Sequence, residues 1–372
     1  MSKEVSKDKV PTYWHYLDLE QLLNLQGGLE DDESNLMPDE LHFIIVHQTL
    51  ELWFKLMLSE LRLARNHLNA TEVPEQHIPH VVHHMGRIIE ILKLAVQQFD
   101  VVETLTARDF LAFRDKLFPA SGFQSFQLRE IEILLGLEES KRAKLGKVSA
   151  LKYLKDLAPR STGGHNAWSR IEQAQRETTL LSALQKWLYR TPIYGSSPSD
   201  PNDETVVEEF LKDYLEAWTN RANEQMAAMI ETKAAPEKAV RERYEDSIKH
   251  VSSFLRAEDM PEENQSFYRR VRASVVFVES YRELPLLAWP RLLLDTTVEL
   301  EQRLLLFRHR HARMAERIIG RRVGTGGSAG VKYLDKTSNP RIFTDLWTVR
   351  TVLLSSEALP NLRNPEAYEF AH

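Results

Sequence analysis

Apolar residues recur along most of this chain at alternating spacings of four and three, the period of an α-helix that buries one face. The clearest run passes through Leu300, Leu304, Phe307, His311, Met314 and Ile318, so a histidine shares the apolar face. Arg303, Arg308, Arg310, Arg313, Glu316 and Arg317 crowd the other side. The pattern predicts that His311 turns into the protein and these charged groups into solvent. His309 points well away from it, so the two cannot share one metal. On this helix alone an inward histidine is more commonly a core residue than a ligand.

A second run has the same rhythm. Pro38, Asp39 and Glu40 read as a first helical turn, with proline where a missing N–H is harmless and acids at the positive end of the dipole. Phe43, His47, Leu50, Phe54, Met57 and Leu61 then line one face, while Leu41, Ile44, Ile45, Leu52 and Leu56 make other faces apolar. This helix is expected to be buried nearly all round, with His47 a second inward histidine. The next helix, around His80 to Phe99, carries His80, His83 and His84, expected on a mostly solvated face, with a metal site at His80 and His84, one turn apart, as the less favoured alternative because no Glu stands between them as in the helical zinc-protease pattern. Asp109 to Leu117 reads as a short helix with Arg114 on its apolar side, and an inward guanidinium needs an anion from an internal carboxylate or from a ligand. Ser121, in the turn Pro119-Ala120-Ser121-Gly122, is a candidate cap for a helix from Phe123 to Leu137.

Basic residues between Glu138 and Lys155 suggest a solvated helix surface, Arg160 to His165 a loop, and Glu172 to Tyr189 another helix. Thr191 to Asp203 is a turn-rich linker, and Glu204 to Lys249 a charged helical arm or small subdomain. Helices are expected over Glu262 to Leu286 and Leu292 to Gly320, broken at Pro285 and Pro290, followed by a loop from Tyr333 to Arg341 and a last apolar segment from Phe343 to Leu354. Strand signals are weak throughout, so the fold class is all-α, a bundle of long helices with a small helical arm.

Composition removes whole classes of function. A net charge of −6, from 48 basic and 54 acidic residues interspersed, leaves no electrostatic footprint for nucleic acid. The N-terminus lacks a signal peptide's apolar core and no run reaches membrane-spanning length, so a cytoplasmic protein without a membrane partner is expected. With no cysteine, disulfides, thiolate-ligated haem, cysteine-held clusters and cysteine nucleophiles are excluded, and any bound metal falls to histidine or carboxylate.

Directly after the His311 helix, Gly320 reads as a helix stop, and Gly324-Thr325-Gly326-Gly327-Ser328-Ala329-Gly330 follows. No Lys-Ser/Thr pair follows these glycines and no helix is evident after them, which argues against a phosphate loop. They form either a flexible connector or a surface that a flat or bulky ligand approaches closely, with the Thr325 hydroxyl as a polar handle.

The motifs are more telling than the periodicity. Phe43-Ile44-Ile45-Val46-His47-Gln48-Thr49-Leu50-Glu51-Leu52-Trp53-Phe54-Lys55 closely resembles a motif of the tryptophan 2,3-dioxygenase family. So do Asp109-Phe110 through Phe113-Arg114, Pro119-Ala120-Ser121-Gly122-Phe123-Gln124-Ser125, and Gly324-Thr325-Gly326-Gly327-Ser328 with Gly330. The matching blocks run from Tyr13 to about Tyr333 in the family's order. The resemblance implies a cytoplasmic homotetramer with ferrous haem b, cleaving the indole C2–C3 bond of L-tryptophan with O2 to give N-formylkynurenine, the opening step of the kynurenine route of tryptophan catabolism.

Laid on this sequence, the resemblance makes His311 the proximal iron ligand, with Gly326 beside the cofactor, and His47 the distal histidine that hydrogen-bonds the indole N–H. It makes Phe43 an aromatic wall, Arg114 the grip on the substrate carboxylate, Thr325 a contact to the ammonium and carboxylate, and Ser121 and Gly122 the distal turn near oxygen. Tyr13 and Tyr16 would reach into a neighbouring subunit's pocket. The implied organisation is an N-terminal segment (1–36), a first part of the core (37–190), a linker and arm (191–260), and the haem-ligating part (261–372). Pro38 and Glu316 depart from residues common in the family, and Lys141 to Asn166 match little. Two other readings use the same anchors: a relative adding one oxygen or acting on substituted tryptophans, and a sensor that binds haem or tryptophan without turnover.

Overall fold

In the computed structural model, residues 11–145 and 148–369 are described. The N-terminal segment carries two single-turn helices, α1 (Tyr13–Tyr16) and α2 (Leu19–Leu22). Three long helices then organise the molecule: α3 (Pro38–Leu68), α4 (His77–Val102) and, much later in the chain, α13 (Ala288–Ile319). Between them come α5 (Ala107–Phe113), α6 (Phe126–Leu135), the two-stranded ribbon β1 (Lys144–Leu145) and β2 (Val148–Ser149), α7 (Ala150–Leu157), α8 (Thr162–Arg176), α9 (Leu180–Arg190), α10 (Asp203–Glu231), α11 (Glu237–Leu255) and α12 (Glu262–Ser280). Two short helices, α14 (Val331–Thr337) and α15 (Thr344–Val352), follow α13. The all-α expectation holds. α4 packs along both α3 and α13, α6 lies on α3, and α10 with α11 forms the charged hairpin arm.

The α13 stripe is inward as its spacing requires, with Leu300, Leu304, Phe307, Met314 and Ile318 all buried. Pro290 does not break this helix. It is the third residue, where the backbone N–H has no intrahelical acceptor to lose. Arg308 is the exception among the arginines expected in solvent: it is only 4% exposed. It stands one turn after Leu304 and just under one before His311, on the edge of the apolar stripe rather than opposite it.

α3 is buried on one side only. Phe54, Met57, Leu58, Leu61, Ala64 and Leu68 are in the core, but Ile45, Leu52, Leu56 and Leu63 are left exposed, correcting the expectation of burial all round. Its start follows the sequence, with Pro38 in the first turn and the Glu40 carboxylate accepting from the Met37 N–H at 3.2 Å.

Other corrections are local. The cap of α6 is Ser125, whose Oγ accepts from the Leu128 N–H at 3.3 Å, while Ser121 caps a 3₁₀ turn, Gly122–Gln124. The basic stretch after Glu138 contains the β1–β2 ribbon and a buried residue, Arg142, instead of a wholly solvated helix surface. Residues Arg160 to His165 run into the start of α8, capped by Ser161, and α14 replaces the loop expected from Tyr333. His84 is no solvated residue: its Nδ1 pairs with the buried Glu60 at 2.7 Å. No helix among the described residues is long and apolar enough to cross a membrane.

Candidate active site

α3, α5, α6, α13, the turn after α5 and the glycine-rich loop enclose a cavity whose empty space, mouth included, is about 1200 Å³. Phe43, His47, Arg114, Ser121, Gly122, His311 and Thr325 all line it, although they come from five separate stretches of chain. The remaining wall is mainly apolar, from Val102, Leu105, Phe110, Phe307, Met314 and Ile318 among others.

The two histidines are each held in a defined chemical state. The His47 Nδ1 lies 2.7 Å from the carbonyl oxygen of Phe43, one turn earlier on α3. A carbonyl only accepts, so Nδ1 carries the proton, and in the neutral ring Nε2 is an acceptor. Burial keeps that ring neutral by holding its pKa below the ordinary histidine value of 6.5, against the opposing pull of the Phe43 carbonyl and Glu51. Phe43 packs on the same ring with centroids 4.0 Å apart.

His311 is fixed by stacking. Its ring lies near-parallel to Phe99 at 5.6 Å and to Phe307 at 6.3 Å, and among the described residues neither of its nitrogens has a hydrogen-bond partner. Burial, helped by the neighbouring His47 and Arg129, pushes its pKa down to about 4. A neutral imidazole facing an apolar cavity with an uncommitted lone pair is the form that binds a metal.

Arg114 and Thr325 sit where this cavity meets an open cleft lined by Asp115, Phe118 and Val323. The Arg114 Nη2 donates to the Val323 carbonyl at 2.6 Å and its buried Nε has no partner among the described residues. The Thr325 hydroxyl donates to the Ala120 carbonyl at 2.6 Å. These two bonds lay the glycine-rich loop across the turn carrying Ser121 and Gly122. The loop comes that close because Gly326 has no side chain: a Cβ there would stand 2.7 Å from the Ser121 Cβ. Gly326 therefore packs on the Ser121 turn and is not itself among the lining residues. Gly330, at φ 59°, ends the loop at the start of α14, where a Cβ would meet the Arg322 carbonyl oxygen at 2.4 Å.

Tyr13 and Tyr16 are not brought to this cavity within one chain; they are 72% and 83% exposed. Conversely, Arg129, Arg308 and Tyr333 line it without having been singled out in the sequence. For Arg308 the signal was present, since its spacing from Leu304 and His311 puts it on the inward side. Arg129 lies in the first turn of α6 and gave none.

Residues 2–353 match the family described as tryptophan 2,3-dioxygenase. Tryptophan 2,3-dioxygenase 2 of Ralstonia nicotianae is 46% identical over 371 residues, covering 98% of each chain. Tryptophan 2,3-dioxygenase of Sorangium cellulosum is 44% identical over 377 residues, covering 99% of this chain and 89% of that one. Similarity extends to the Dictyostelium discoideum tryptophan 2,3-dioxygenase, 32% identical across 96% of this chain and 87% of the other.

Proposed function

The chain belongs to the tryptophan 2,3-dioxygenase family, and we propose that it cleaves the indole C2–C3 bond of L-tryptophan with O2 to N-formylkynurenine, using haem b held on His311. The observation that carries this reading is one apolar cavity with two neutral histidines, His47 and His311, and an arginine–threonine pair at its mouth. The residues fit haem: His311 offers an uncommitted neutral nitrogen, the surrounding wall is apolar, and no thiol competes for the metal. Bound there, haem would supply the redox-active iron that makes O2 reactive toward the indole.

The protein's own part is to fix the substrate. Arg114 exchanges the Val323 carbonyl for the amino-acid carboxylate, gaining a charge-assisted and potentially bidentate contact for a neutral one. Thr325, released from Ala120, contacts the same end of the zwitterion. His47 accepts the indole N–H at Nε2, which its Nδ1 bond to Phe43 leaves as the acceptor. It orients the ring rather than deprotonating it, because indole N–H is far too weak an acid for a base whose own pKa is depressed. Phe43 walls the ring. Three anchors on one small molecule supply most of the proximity that the reaction needs.

The homotetramer belongs to the same proposal. Tyr13, Trp14, Tyr16, Leu23, Leu25 and Leu29 in the N-terminal segment, and Ile45, Leu52, Leu56 and Leu63 on α3, are exposed apolar side chains suited to burial against another copy of the chain. The deciding experiment is the product mass after ferrous, haem-loaded protein meets L-tryptophan and isotopically labelled O2. Two labelled oxygens at the mass of N-formylkynurenine are expected. Incorporation of one would replace this reading with a monooxygenation.

A further inference from the structure

Away from the cavity, the corner between α3 and α4 gathers histidines. His67, in the last turn of α3, lies about 30 Å along that helix from His47 at 1.5 Å per residue. Around its ring stand those of His77, His80 and His84 from the start of α4, with centroids 4.9, 5.6 and 6.0 Å away. None of the four lines the cavity, and the proposed dioxygenation uses none of them.

The state of each ring bears on what the cluster can hold. Glu60, 4% exposed, accepts from the His84 Nδ1 at 2.7 Å, and the Arg87 Nη1 donates to its other oxygen at 2.7 Å. A carboxylate accepts, so Nδ1 carries the proton and in the neutral ring Nε2 keeps its lone pair. That is the carboxylate–histidine pairing which, in metal sites, fixes the tautomer and raises the basicity of the ligand. The His77 Nδ1 is buried without a partner among the described residues, a cost that a ligated ion would remove. His83 is spent elsewhere, because the Arg87 Nη2 donates to its Nε2 at 3.0 Å.

The spacing suits one ion. A zinc–nitrogen bond of about 2.0–2.1 Å puts a ring centroid roughly 3.2 Å from the metal, so two rings on a tetrahedral ion sit roughly 5.2 Å apart. The three distances to His67 lie within about 1 Å of that value. The ring nitrogens do not yet converge: among the described residues no three His, Asp or Glu groups stand ready to hold an ion. Closing the site takes rotation of the imidazoles, whose χ2 is a broad torsion, and His80 is exposed and free to turn. Imidazole ligands without any thiolate favour zinc, nickel or copper over magnesium and calcium, which take oxygen ligands.

We propose that His67, His80 and His84 bind a divalent ion of the zinc class, with His77 as a fourth ligand and Glu60 as the positioning residue behind His84. The ion pins the end of α3 to the start of α4 across the turn that joins them. Spacing alone pairs His80 with His84; the fold adds His67 from another helix and a buried carboxylate in support.

Zinc uptake tests this. The full-length protein is stripped with EDTA, dialysed against micromolar zinc and assayed for metal per chain, with its thermal midpoint measured alongside. The parent should take up one zinc at this corner and unfold at a higher temperature with it, as a ligand of the native state requires. Magnesium should do neither. Glu60→Gln should weaken zinc binding about 10- to 100-fold, and His67→Gln or His84→Gln by at least as much. His83→Gln, outside the ligand set, should bind as the parent does. No uptake by the parent, or the same uptake and midpoint shift in a His67→Gln/His84→Gln double variant, would overturn the site. Parent-like affinity in Glu60→Gln would remove Glu60 from it.

Discussion

Glu132→Gln tests the electrostatics beneath the cavity. The glutamine keeps the shape and an acceptor oxygen but deletes the charge that faces Arg129, Arg142 and Arg308, all three of them buried. Removing one partner of a buried ion pair costs about 3–5 kcal/mol, because the charge left behind is uncompensated. An unfolding entropy of about 2.1 cal/mol/K per residue amounts to roughly 0.8 kcal/mol/K for this chain, so the midpoint of thermal unfolding should drop by about 4–6 °C at neutral pH. The pH dependence checks the cause. Burial alone would raise the Glu132 pKa, but the three guanidiniums more than offset it and hold it below its ordinary 4.5. A depressed folded-state pKa stabilises above 4.5, and that contribution fades as pH falls from there through the folded value. The gap between parent and variant, measured by calorimetry on apo-protein, should therefore be full near neutrality and shrink below about pH 4.5. A drop under about 1 °C, or a gap that stays constant into acid, would refute the reasoning.

Three further outcomes follow from the site. His311→Ala should give no Soret band on addition of haem while its far-ultraviolet circular dichroism matches the parent; normal haem retention would remove His311 as the ligand. Arg114→Met should raise KM for L-tryptophan roughly 10- to 100-fold with the haem spectrum unchanged, and should abolish the preference for tryptophan over tryptamine, which lacks the carboxylate. A preference that survived would place the carboxylate elsewhere. Because burial depresses the His47 pKa, its ring stays neutral as pH falls through 6.5, so kcat/KM should hold level there and decline only at lower pH, whereas His47→Ala should turn over slowly with haem intact. Parent-like kinetics in that variant would contradict the distal placement.

Much of the architecture is legible because helices announce themselves by period. The inward faces of α3 and α13, and with them His47 and His311, follow from spacings of three and four alone. Spacing fails where a polar side chain is buried by a partner far away in sequence. Arg308 reads as solvent-facing beside five other charged neighbours until Glu132, 176 residues earlier, is seen to receive it. Arg142 is lost in a basic stretch for the same reason, and nothing in the sequence pattern marks Arg129, which is buried too. The open stripe of α3 fails in the opposite sense: its apolar residues predict burial, and among the described residues Ile45, Leu52, Leu56 and Leu63 stay exposed.

The glycine-rich loop shows what motif recognition adds and where it stops. As a run of glycines it is equally a connector or a ligand cradle with Thr325 as a polar handle, and only the matching motif gives Thr325 a particular ligand group to meet. Yet the motif does not say why Gly326 is a glycine. The structure gives a steric reason, the approach of the loop to Ser121, so the residue serves the cavity by drawing two segments together without touching the space between them. Arg114 and Thr325 are both tied to backbone carbonyls by this closure, so under the proposed function the same contacts that shape the mouth must be exchanged when substrate enters. Binding affinity at this site is then a difference between two sets of hydrogen bonds, and changes to the loop should move KM even where they leave both anchoring side chains in place.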